Sequence, residues 1–126
     1  MKNKYYYQGV LVRTSDREYT HAVISTKKPF SKAMLMSCHS SAELAEKMIR
    51  AAISEQESNI RFSQACIKCL ESGKTWFMWK SGGRSYPHRM SSDDSIEKCK
   101  KWIASYQARI EYIETYWKAV ELTKGE

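Results

Sequence analysis

The run SDDSIEKCKKWIASYQARIEYIETYWKAVEL, from Ser92 to Leu122, carries its apolar residues on one uninterrupted heptad lattice. Ile96, Cys99, Ile103, Tyr106, Ile110, Ile113, Trp117 and Val120 follow one another in alternating steps of 3 and 4. That spacing marks the seam of an α-helix lying lengthwise on another helix. It predicts a helix over about 93–122, roughly 45 Å long. So long a rod cannot bury its seam alone. Beside the seam lie Trp102, Arg109 and Tyr116, with Ser105 and Tyr112 next to them. A guanidinium between aromatic rings at helical spacing suits stacking on a base and pairing with a phosphate. The same residues could widen a buried stripe, with the arginine lying over the rings as a lid.

A partner rod stands upstream. Ser40 and Glu43 form a capping box, Ser72-Gly73 a stop, and Leu44, Met48, Ala52, Ile53, Ile60, Ile67 and Leu70 recur on one helical face between them. This predicts a helix over about 41–71, matched in length to the last one, with a polar middle from Glu55 to Ser63 broken only by Ile60 and Phe62. Two equal rods suggest an antiparallel pair, or a pair exchanged between subunits. In that arrangement Arg61 and Arg109, each near its helix midpoint, would face one another across an anion.

The remaining signals are extended. Tyr5–Arg13 and Glu18–Thr26 are rich in Val, Ile, Tyr and Thr, and Thr14-Ser15-Asp16-Arg17 between them has turn chemistry, which predicts a β-hairpin over 5–26 with Arg13 facing Glu18. Part of the connection Lys27–Ser40 is expected to pair as a strand. Between the helices, 74–90 holds a short aromatic strand, Lys74 to Lys80, the turn Ser81-Gly82-Gly83, and then Arg84, Tyr86, His88 and Arg89 around Pro87. Ser92 with Asp93 and Asp94 is expected to open the last helix. The fold class is therefore α+β in a single domain, 1–126: an N-terminal antiparallel hairpin or small sheet, and two long helices joined through an aromatic strand.

The net charge of +7 is unevenly placed. Residues 74–92 hold four basic groups and no acid, and residues 1–40 hold seven against two, whereas 41–73 and 93–126 are almost neutral. A field located on the hairpin and the central connection attracts anions. Arg84 and Arg89 would pair phosphates, and among Trp76, Phe77 and Trp79 at least one ring is available for stacking, since neighbours on a strand face opposite sides. No run is apolar enough to suggest a membrane span, and no signal peptide is evident, so the expected location is the cytoplasm.

Chemistry beyond binding is poorly represented. His21, His39 and His88 stand in three separate segments, with no nucleophile elbow, no phosphate-binding glycine loop and no paired acids outside helix termini, so no catalytic residue is assigned. Cys66-x-x-Cys69 lies inside a predicted helix and lacks a second pair at zinc spacing, so neither a metal nor another cofactor is expected.

The order of elements, together with the segment Arg17-Glu18-Tyr19-Thr20-His21-Ala22-Val23, resembles the type-one Thoeris anti-defence family of phage proteins. The resemblance implies a non-catalytic sponge that sequesters a cyclic ADP-ribose isomer made by bacterial Toll/interleukin-receptor-domain defence proteins. It also implies activity against cyclic oligonucleotide signals, hence against CBASS as well as Thoeris, in the host bacterial cytoplasm. Family members work as dimers or trimers of dimers with pockets at subunit interfaces, arginines on the pyrophosphate and rings on the adenine. By kind and element, the phosphate partners here would be Arg61, Arg109, Arg84 and Arg89, and the stacking partners Trp76, Phe77, Trp79, Tyr112 and Tyr116. A second site for larger cyclic nucleotides would draw on Arg13, Arg17 or His21. The rival reading is a single-stranded nucleic-acid-binding accessory protein using the basic hairpin and the aromatic strand; nucleic acid is not the partner expected of a sponge.

Overall fold

A computed structural model describes residues 2–125 and bears out the α+β class: two helices and eight strands in three small antiparallel sheets. The chain resolves into two compact units, one built from the residues up to Ser54 with the stretch from Glu111 onward, the other from Glu55–Ile110.

In the first unit an N-terminal hairpin is present, but it is not the one expected: its turn lies inside the first expected strand and not at Thr14–Arg17. The run Tyr5–Arg13 breaks at Gln8 and Gly9, both at positive φ (49° and 76°), so β1 (Asn3–Tyr7) folds directly onto β2 (Val10–Ser15). A two-residue turn with positive φ matches the twist of its strands, and glycine enters it without steric cost. The pairing of Tyr5–Arg13 with Glu18–Thr26 is thereby overturned: Arg13 lies opposite Tyr5, not Glu18. The Ser15–Asp16 region turns the chain without forming a ladder. Ser15 Oγ accepts from the Arg17 amide at 3.1 Å, while the buried Tyr5 hydroxyl donates to the Arg17 carbonyl at 2.7 Å and accepts from the Tyr19 amide at 3.2 Å.

Strand β3 (His21–Ser25) instead lies between β4 (Leu35–His39) and β7 (Trp117–Glu121). Ala22, Val23, Ile24 and Ser25 are all buried, as expected where both faces of a central strand are covered. The strand foreseen within Lys27–Ser40 is β4, preceded by a 3-10 turn at Lys32–Met34. Strand β8 (Thr123–Gly125) pairs with β1, so the other sheet runs β2-β1-β8.

Helix α1 (Ala42–Glu71) has the expected extent, but its cap is Ser41, whose Oγ accepts from the Leu44 amide at 3.1 Å, rather than Ser40 with Glu43. At this end Ala45 is buried and Leu44 is exposed. The stop is as read: Gly73, at φ 71°, donates to the Leu70 carbonyl and Lys74 to that of Cys69, which together satisfy the orphan carbonyls of the last turn.

Helix α2 is shorter than its seam predicts. It runs Ile96–Tyr116, capped by Ser95 and not Ser92: Ser95 Oγ accepts from Lys98 N at 3.1 Å, while Asp94 Oδ2 closes a preceding turn on the Ser91 amide. The heptad continues through Trp117 and Val120, but these belong to β7. Thr26 decides the switch. Its amide and hydroxyl both donate to the Tyr116 carbonyl at 2.8 Å, ending the helix, and the open edge of β3 takes the following five residues.

In the second unit, β5 (Trp76–Ser81) and β6 (Arg84–Arg89) form a hairpin closed by Gly82 and Gly83, at φ 61° and 78°. The hairpin lies on Phe62 of α1, whose ring is 5.8, 5.2 and 4.8 Å from those of Phe77, Trp79 and His88. Cys66 of α1 and Cys99 of α2 are buried.

Candidate functional site

The second half of α1 presents a polar stripe at helical spacing. Arg61, Gln64, Ala65 and Lys68 stand at steps of 3, 1 and 3, and with Ile67 and Glu71 they line an open hollow of about 400 Å³. A second hollow of about 260 Å³ shares Ala65 and Lys68 and adds Cys69, Ser72, Lys74 and Phe77. Three cations therefore border the pair of hollows against a single carboxylate, and the Phe77 ring supplies an apolar wall. At the second hollow, Ser72 Oγ donates to the Cys69 carbonyl at 2.9 Å and Cys69 Sγ to the Lys74 carbonyl at 3.2 Å. Burial pushes the Cys66 thiol up to about 11, so that sulfur is a packing group here rather than a nucleophile.

The residues singled out from sequence are divided by this arrangement. Arg61 and Phe77 line the hollows, and Trp79 stands beside Phe77 at 6.5 Å in the cluster on Phe62. Trp76 lies opposite Arg89 on the other face of the hairpin, half exposed; Arg84 is exposed opposite Ser81. Arg109 is exposed on α2 with its guanidinium 5.8 Å from the Tyr106 ring and lines neither hollow. Arg61 and Arg109 line no common hollow; the cation that shares the Arg61 hollow is Lys68, seven residues further along the same stripe of α1.

Tyr112 and Tyr116 belong to the first unit. Their rings are 5.0 Å apart, Lys27 Nζ stands 5.3 and 5.9 Å from them, and the Tyr112 hydroxyl shares a 3.0 Å hydrogen bond with Ser25. Their cation is Lys27, not Arg109. Of the second-site set, Arg13 and Arg17 both stand near Tyr19. Arg13 Nη1 donates to the Tyr19 hydroxyl at 3.4 Å, a contact that raises the arginine and lowers the phenol. His21 Nδ1 bonds Thr20 Oγ1 at 2.7 Å, and Arg17 is exposed.

Gln64, Lys68 and Lys74 were the residues that sequence reasoning passed over. The stripe itself is legible as i, i+3, i+7, but polar residues at that spacing describe any solvated helix face equally well. Among the described residues no three His, Cys, Asp or Glu side chains are grouped to hold a metal ion, and no helix is long and apolar enough to cross a membrane. No family model matches the chain, and neither a curated protein nor a solved structure matches it.

Proposed function

We propose that the protein is a phage anti-defence sponge: it holds a cyclic signalling nucleotide, a cyclic ADP-ribose isomer first of all, and keeps it from its receptor in the host cytoplasm without converting it. The observation that carries this reading is the double hollow on α1, where Arg61, Lys68 and Lys74 stand with an amide, Gln64, and a ring, Phe77. Arg61 and Lys68 are seven residues apart, roughly 10 Å along the helix. A pyrophosphate between them can pair with both, while Phe77 offers a face to the base and Gln64 hydrogen bonds to its edge.

The hollows are open, and Ile60, Ile67, Trp102, Ile103 and Ile110 of the same unit are only half-buried. Such apolar flanks support association of copies, with a second subunit closing the pocket and excluding water. The likeness in element order and in Arg17–Val23 supports the same assembly and ligand class.

Titration calorimetry with cyclic ADP-ribose isomers tests the reading. Binding is expected, Arg61→Ala and Lys68→Ala each weaken it about tenfold or more, and intact nucleotide returns after heat denaturation. Failure of every cyclic nucleotide to bind, or recovery of a cleaved product, refutes it.

A further inference from the structure

The β5–β6 hairpin has two faces, and Phe62 covers one. Cross-strand partners share a face, so Phe77 with His88 and Trp79 with Tyr86 stand on the side of the Phe62 cluster. Trp76 with Arg89, Met78 with Pro87 and Lys80 with Ser85 make up the other. On that outer face Trp76 is 52% exposed and Met78 54%. An indole and a thioether left in water on adjacent same-face positions form an apolar strip that a solvated hairpin has no use for.

The charge around the strip selects its occupant. Arg89 lies across from Trp76, Lys80 follows Met78 on the same face, Lys74 and Arg84 flank the hairpin at its two ends, and 74–92 contains no Asp or Glu. A second copy docked here face to face would set these cations against one another, whereas the near-neutral helices carry no such penalty. An acidic peptide would satisfy the charge and leave the indole unused. A chain of alternating phosphates and flat rings uses both, with the bases stacking on Trp76 and against Met78 and Pro87, and the phosphates meeting Arg89 and Lys80.

We propose that the outer face of the β5–β6 hairpin, Trp76, Met78, Lys80 and Arg89, is a docking strip for single-stranded nucleic acid, separate from the hollow on α1. The Phe62 cluster packs against the inner face of the hairpin, and stacking without base-edge hydrogen bonding makes the strip indifferent to sequence.

Fluorescence anisotropy with labelled oligothymidine of about 20 nucleotides tests this, alongside phosphatidylglycerol vesicles and polyglutamate. The oligonucleotide is expected to bind at low salt with an affinity that falls linearly in log–log salt. Trp76→Ala should weaken it about tenfold and Trp76→Phe much less. Lys80→Ala with Arg89→Ala should flatten the salt slope by about one to two. Since Trp76 is solvent-facing, far-UV circular dichroism of Trp76→Ala should match the parent. No oligonucleotide binding at low salt, equal binding by Trp76→Ala, tighter binding of vesicles or polyglutamate, or a concentration-dependent association that Trp76→Ala abolishes, would each overturn the proposal. Titration of a cyclic nucleotide into Trp76→Ala reports on the α1 hollow independently and is expected to be unchanged.

Discussion

Removing the ring of Phe62 should release the β5–β6 hairpin while leaving the sheets of the first unit closed. Truncating a fully buried phenylalanine to alanine costs about 3–5 kcal/mol. Phe62 is half-buried, which brings the expected loss for Phe62→Ala to about 2 kcal/mol. The whole of that loss falls on one element, because the ring is the common neighbour of Phe77, Trp79 and His88. A two-stranded hairpin without a surface beneath it is marginal in water. Hydrogen exchange followed by mass spectrometry should therefore show the amides of 76–89 opening roughly 30-fold more often, while those of β3 keep their protection. Near-UV dichroism should fall as Trp79 loses its edge-to-face partner. Unchanged exchange in the hairpin would refute the claim that this ring is the anchor. Equal loss in β3 would refute the claim that the effect is local.

Three further outcomes follow from particular contacts. Ser41→Ala should lower stability by about 1 kcal/mol in urea unfolding, and Ser40→Ala should not, because only the Ser41 hydroxyl accepts from an orphan amide. Burial holds His39 below its usual value, its Nε2 2.6 Å from Ser37 Oγ. The unfolded chain therefore binds that proton more readily, so stability is complete above about pH 6.5 and is lost as pH falls through the folded value; thermal unfolding of His39→Gln should lack this acid-side loss. With its thiol pushed up to about 11, Cys66 should alkylate at pH 8 far more slowly than a free thiol, roughly a thousandfold below full thiolate reactivity. Rapid labelling of Cys66 by iodoacetamide in the folded protein, read by peptide mapping, would contradict that burial.

Helix α1 could be read to the residue at its far end because Ser72-Gly73 carries a local instruction, a positive φ that only glycine enters freely. The β5–β6 turn was legible for the same reason. What the sequence could not reveal were decisions made at long range. Trp117–Glu121 fits a helix seam and a strand equally well, and Thr26, ninety residues earlier, settles which it becomes. Tyr5–Arg13 looked like one strand because its β-branched and aromatic residues hide the short Gln8-Gly9 turn. For the site, Arg61 and Phe77 were visible as chemistry, but their companions were not. Lys68 and Lys74 become part of one hollow only once Gly73 turns the chain back, and Trp76 leaves the group because strand alternation places it on the opposite face.

Both three-stranded sheets of the first unit are finished by residues from the far end of the chain: β7 lies against β3, and β8 against β1. On the ribosome, β1 to β4 must therefore wait, two-stranded and open-edged, until β7 and β8 have emerged. A nascent chain stopped at Tyr116 would expose the β3 edge to any passing strand, so the two sheets close late in synthesis rather than as their first strands appear.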